Sequence, residues 1–183
     1  MLDPRFRGDD LISVSLEQTA VTLKLWRISN HADLSGSGGL RAGGRWHSPG
    51  RPIVYAAEHP ALALLETLVH LEIQSFGGLP SHYQLLEIDV PEGIPHESVS
   101  DSLIEGRWSE DIAKTRAIGD AWLEQRRVVL LGVPSAIVPK SRNWLVNPSH
   151  PDVARLAIVS VARFPFDRRM VKTRGSGARN PKT

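Results

Sequence analysis

The chain contains no cysteine, which removes a disulfide framework, a thiolate nucleophile, a zinc ribbon and an iron-sulfur centre at one stroke. A long apolar run is missing too. No stretch approaches the roughly 18 to 20 residues of a membrane span, and Arg5, Arg7, Asp9 and Asp10 interrupt any signal-peptide core. A cytoplasmic protein with no membrane contact is the expectation. Charge of one sign is scarce as well: the net charge is +2, and Lys172, Arg174, Arg179 and Lys182 place +4 in residues 171–183, leaving −2 on the rest. A basic body that would bind nucleic acid directly is therefore not expected.

Standard catalytic templates are absent. The stretch Gly36-Ser-Gly-Gly-Leu-Arg41 breaks the dinucleotide fingerprint at its last position and has no Walker lysine. The histidines at 31, 47, 59, 70, 82, 96 and 150 show no ligand spacing, so no metal site is expected.

What remains is 183 residues at 41% apolar, enough for one core. Residues 1–20 read as a loose leader, with Met1 to Asp10 lacking any periodicity, and residues 171–183 as a disordered basic tail. Residues 21–170 carry the fold. Strands are expected over Thr22 to Ile28, Ile53 to Ala56, Tyr83 to Val90, Val128 to Val133 and Ala157 to Phe164. Pro60 opens a helix over Ala61 to Ile73 that is apolar nearly all round, which implies burial on more than one side. A second helix starts at Ser109-Glu-Asp111 and ends near Arg126-Arg127. Ala136 to Pro151 reads as turns, and Ser35 to Gly39 as a flexible loop. Strands and helices do not alternate regularly, so the class is α+β: a compact mixed β-sheet core with flanking helices.

Four residues stand out within that span. Glu66 shares a helical row with Leu62, Val69 and Ile73, where a carboxylate needs a partner and an arginine is the expected one. A structural ion pair explains Glu66 about as well as a functional role does. Arg45 follows Gly43-Gly44, which permits close approach of a ligand to the backbone, and its planar guanidinium suits phosphate or carboxylate. Arg27 ends one strand and Tyr55 lies on the next. Trp26 and Trp46 adjoin the two arginines and offer stacking surface, although single tryptophans are more often core. Ser135 is better read as a hydroxyl that bonds ligand than as a nucleophile, because no histidine sits near it in sequence.

Trp26-Arg27, Gly43-Gly-Arg-Trp46, Val54-Tyr55-Ala-Ala57, Leu62-Ala-Leu-Leu-Glu66, Val133-Pro-Ser135, Asn147-Pro-Ser-His150 and Phe166-Asp167-Arg168 together resemble the RES domain family, the toxins of RES-Xre toxin-antitoxin pairs. The likeness runs from about Leu25 to Arg169 and departs from the family in having Trp26 where a tyrosine is common. It implies a fold like that of NAD-dependent ADP-ribosyltransferases and an enzyme whose substrate is NAD+. It also implies that Glu66, Arg45 and Tyr55 are catalytic, and that Arg27, Ser135, Trp26, Trp46 and Asn147 contact the dinucleotide. The reaction implied is cleavage of the nicotinamide-ribose bond by hydrolysis or phosphorolysis, or transfer of ADP-ribose to a protein. An Xre-type antitoxin that blocks the site, and a homodimer within that complex, complete the expectations. A ribonuclease or a non-catalytic interaction module fits the residues less well.

Overall fold

A computed structural model describes residues 12–13, 23–71, 80, 82–100 and 106–170. Its strands are β1 (Ile12–Ser13), β2 (Leu23–Ser29), β3 (Val54–Ala57), β4 (Gln84–Val90), β5 (His96–Val99), β6 (Leu130–Pro134), β7 (Arg142–Val146) and β8 (Ala157–Arg163). They form one sheet in the order β1-β5-β6-β7-β3-β2-β4-β8, antiparallel except where β5 runs parallel to β6. Among the described residues three α-helices accompany it: α1 (Gly38–Arg41), α2 (Pro60–Leu71) and α3 (Ile112–Gln125). The α+β expectation holds.

Alternation along the strands divides the core between two faces. On one face Leu25, Val54, Ala56, Ile88, Leu130, Trp144 and Val146 pack together, closed by Leu34, Ile94, Val153 and Leu156 from connecting segments. The opposite face takes the long helices. Against Leu131, Val133 and Leu145, α3 lays Ile118, Trp122 and Leu123. Its start is capped by the Asp111 side chain, which accepts from the Lys114 amide at 3.0 Å, and its end by Arg126 in the left-handed region at φ 50°. At the other end of this face α2 sets Leu62 and Ala63 on Ala57, Trp26 and Ile28. The strip of sheet between the helices holds polar side chains.

Neighbouring β2 and β3 share a single register pair, Trp26 with Ala57, whereas β2 pairs with β4 along all seven residues. The ladder is therefore nearly interrupted in mid-sheet, and α2 packs on both strands across the break.

Four expectations need correction. The turn segment Ala136 to Pro151 contains β7, a central strand hydrogen-bonded to both β3 and β6; prolines 139 and 148 and Asn147 bound it, and hid it. Ser35 to Gly39 is not a flexible loop: the amides of Gly39 and Ile53 both donate to the Gly36 carbonyl, and Gly39 is buried under the Arg51 carbonyl. The α2 helix is buried on one side only, with Leu65 43% and Val69 58% exposed, because the sheet offers it a single face. Residues Ile12 and Ser13 of the expected loose leader pair with Val99 and Ser98 on β5. The basic tail, the rest of the leader and Ile73 lie outside the described residues.

Candidate active site

Glu66 projects from α2 toward the polar strip. Its partner is not the expected arginine: Ser135 Oγ donates to Glu66 Oε1 at 2.8 Å and Asn143 Nδ2 donates to the same oxygen at 2.6 Å. Both donors converge on Oε1, so a neutral clamp fixes the carboxylate without cancelling its charge, and neither donor uses Oε2.

Ser135 reaches this position because its own turn holds it. Its oxygen accepts from the amides of Ile137 at 3.1 Å and Val138 at 3.0 Å while its proton goes to Glu66. With that proton and both lone pairs engaged and only 6% of the residue exposed, Ser135 holds Glu66 and has no capacity left for a ligand. Asn143, which the sequence reading missed, sits on β7 opposite Ala57 on one side and Val133 on the other.

Tyr55 pairs with Leu145, so Asn143 is its diagonal neighbour on the same face, at the roughly 7–8 Å usual for such pairs. Its hydroxyl accepts from the Trp46 amide at 3.1 Å and lies 2.9 Å from His47 Nδ1. Burial pushes the Tyr55 phenol well above its ordinary range, so it stays protonated.

The Gly43 to Ser48 segment lies across α3, fastened group by group. Arg116 Nε donates to the Gly44 carbonyl at 2.8 Å, Thr115 Oγ1 to the Arg45 carbonyl at 2.7 Å, and the Ser48 amide to Asp120 Oδ1 at 2.9 Å. This seating needs Gly119, where an added Cβ would come within 1.8 Å of the Trp46 carbonyl oxygen. Arg45 is half-buried on this bed and donates through Nη1 to the Ser109 carbonyl.

Arg27 enters at the break between β2 and β3. Nη1 donates to the Tyr55 carbonyl at 3.1 Å and Nη2 to Ser29 Oγ at 3.3 Å. Its Nε is a buried donor with no acceptor. Burial depresses its pKa, and although Asp33 and Tyr83 act against this, the guanidinium is a desolvated cation short of anionic company.

Two expected ligand residues belong to the frame instead. Trp46 is 2% exposed within the cluster of Ile118, Trp122 and Leu145, its ring 5.9 Å from that of Trp108, so no face is open for stacking. Asn147 is 1% exposed, with Nδ2 on the Leu123 carbonyl at 3.1 Å and Oδ1 on the Ser149 amide at 3.0 Å, tying the end of β7 to α3. Trp26 is half-buried beside α2. Among the described residues no group of three or more histidine, aspartate or glutamate side chains could hold a metal, and no helix is long and apolar enough to cross a membrane.

A mixed sheet with α2 and α3 on one face and an apolar core on the other makes this an α+β protein of ADP-ribosyltransferase-like fold. The chain belongs to the RES domain family, whose model matches residues 24–167. It is 45% identical over 146 residues to a Pseudomonas putida protein named Toxin Res, covering 80% of this chain and 98% of that protein. It is 40% identical over 162 residues to the Prs ADP-ribosylating toxin of a Sphingobium strain, covering 83% and 99%. Among solved structures, the fold resembles a chain of the M. tuberculosis MbcT-MbcA toxin-antitoxin complex, with a TM-score of 0.60 at 18% identity over 86% of this chain and 89% of that one. The family expectation, membership of the RES domain family, holds for this chain.

Proposed function

We propose that the chain is a toxin that cleaves the nicotinamide-ribose bond of NAD+, with Glu66 as the residue that stabilises the sugar cation. The observation that carries this reading is the Glu66 clamp: an ionisable carboxylate held by two neutral donors on one oxygen, with Oε2 left over. As the C–N bond breaks, its electron pair passes to the nicotinamide nitrogen, neutralising the pyridinium, and positive charge grows on the ribose. A fixed negative oxygen beside that ribose stabilises the transition state more than the ground state.

Arg27, with its partnerless Nε, and Arg45 take the pyrophosphate, and Tyr55 meets the nicotinamide ring. Trp26 contributes what open apolar surface the break provides, while Ser135 and Asn143 act through Glu66. Water, phosphate or a protein side chain then adds to the ribose and gives up a proton. Transfer to a protein is the second reading, favoured by the Sphingobium relative, which is named an ADP-ribosylating toxin. In the cell an Xre-type antitoxin covers the site, the complex contains a toxin homodimer, and the toxin works in the cytoplasm without a metal. The toxin-antitoxin complex among the structural neighbours supports an antitoxin partner.

The test is incubation of the purified chain with NAD+, with and without phosphate and candidate protein acceptors, beside a parallel incubation with RNA. Release of nicotinamide with intact RNA is the expected result. RNA cleavage, or no loss of NAD+ in any arm, overturns the proposal. The product retained, ADP-ribose, its phosphate ester or a modified protein, identifies the acceptor.

A further inference from the structure

His47 is one of seven histidines that carry no motif in the sequence, yet it is 3% exposed and lies between the glycine segment and Tyr55. All its polar contacts point one way. Nε2 is 3.1 Å from the Ala42 carbonyl, which only accepts, so Nε2 bears the proton. Nδ1 is then an acceptor. It receives the Gly44 amide at 3.1 Å, a proton shared with the His47 carbonyl at 3.1 Å, and faces the Tyr55 hydroxyl at 2.9 Å. Since the Trp46 amide donates to that hydroxyl, Tyr55 gives its own proton to Nδ1. The relay runs from the Trp46 amide through Tyr55 to His47 and on to Ala42.

The space around the ring is closed. A Cβ on Gly44 would meet Tyr55 Oη at 2.6 Å and His47 Cε1 and Nδ1 at 2.9 Å, and a Cβ on Gly39 would meet Nε2 at 3.0 Å. Glycine at 44 is thus needed for the imidazole to reach both the segment that carries Arg45 and the hydroxyl of Tyr55.

We propose that His47, as a neutral imidazole protonated on Nε2, is a positioning residue that fixes Arg45 and Tyr55 together and makes their alignment sensitive to pH. This rests on the reading of Arg45 and Tyr55 as the NAD+ site. A proton added at Nδ1 removes one of the two acceptors of the Gly44 amide, leaving it the His47 carbonyl alone, and reverses the Tyr55 hydroxyl, which then has to accept from Nδ1 as well. Burial, the largest influence, holds the His47 pKa below its ordinary value of 6.5, and Arg116 of α3 works in the same direction. Asp120 of α3 and the backbone of Ala42 and Gly39 oppose them, and the facing Tyr55 on β3 stays neutral. The neutral form prevails above the folded pKa and is lost as pH falls through it. Because the unfolded chain binds this proton first, near pH 6.5, stability also declines as pH drops from there toward the folded pKa.

The experiment compares wild type, His47→Asn and His47→Ala in steady-state NAD+ turnover from pH 5 to 8.5, with melting temperatures, alongside ¹⁵N NMR of the wild-type imidazole. Asparagine places Oδ1 close to where Nδ1 stood and does not titrate. The expected results are an Nε2–H tautomer persisting below pH 6.5, an acid limb in wild-type kcat/KM, at least a tenfold loss for His47→Ala, and recovery by His47→Asn without the acid limb. A folded His47→Ala with wild-type kcat/KM at every pH, an acid limb retained in His47→Asn, or an Nδ1–H tautomer overturns the proposal. A wild type inert toward NAD+ refutes the functional reading instead, while the tautomer and its titration still decide the state of His47.

Discussion

Replacing Glu66 with glutamine separates the charge of this side chain from its structural work. Ser135 and Asn143 both donate to Oε1, and the glutamine carbonyl oxygen can take the same two hydrogen bonds while its amide nitrogen replaces Oε2. The two bonds weaken from charge-assisted to neutral, about 1 kcal/mol each, and this is offset in part because a charge need no longer be held away from water. A net change near 1 kcal/mol corresponds to roughly 2–4 °C in Tm for a chain of this size. The transition state loses far more. A carboxylate oxygen roughly 4 Å from a developing cation, at an effective dielectric near 20, contributes about 4 kcal/mol. At about 1.4 kcal/mol per decade, that is on the order of 10³ in kcat. The assay is initial-rate nicotinamide release by chromatography, with differential scanning fluorimetry on the same samples. A Glu66→Gln variant that turns over NAD+ at the wild-type rate would falsify the role of the charge; one that loses 10 °C or more would show that the clamp is structural.

Three further substitutions test the surrounding frame. Ser135→Ala removes a donor to Glu66 and the acceptor for the Ile137 and Val138 amides, and should cost about 1–3 kcal/mol in denaturant unfolding together with at least a tenfold loss of kcat; a stable, fully active variant contradicts it. Arg27→Met exchanges an under-partnered buried cation for an apolar chain of similar length, so calorimetry should show NAD+ affinity weakened by about 10-fold or more while Tm moves only a few degrees. Unchanged affinity would remove Arg27 from the site. Gly119→Ala drives a methyl group into the Trp46 carbonyl, and the expected outcome is a loss of more than about 2 kcal/mol in stability with kcat falling through displacement of Arg45; an undisturbed melting curve would show that the segment is not seated as described.

The sequence made legible those features whose cause is local. The alternation of β4, the strand-like runs of β2 and β8, the proline that opens α2 and the asymmetry of α3 were all readable within a window of a dozen residues. What escaped depends on contacts across the chain. Strand β7 sits in a proline- and asparagine-rich stretch, and only its pairing on both sides makes Arg142 to Val146 a strand. Glu66 announced itself as a carboxylate in an apolar row, but its partners come from residues 69 and 77 positions away, so its own helix could not show that they are a serine and an asparagine rather than an arginine. Trp46 and Asn147 lie inside recognisable motifs, and the motif alone does not tell a ligand contact from a side chain that holds the frame. His47 was hidden because its significance is a tautomer, which depends on the Ala42 carbonyl.

The near-interruption between β2 and β3 bears on what kind of object this site is. One ladder, β4, β2 and β8, supplies Arg27 and Trp26; the other, from β1 through β3, supplies Tyr55 and the Asn143 arm of the clamp. One register pair, the α2 packing and the apolar core on the other face join the two, and a guanidinium on a backbone carbonyl adds a polar rivet between them. The proposed site therefore sits at what amounts to an internal subunit boundary within a single chain, where cohesion of the two half-sheets and alignment of the groups assigned to it are the same mechanical quantity.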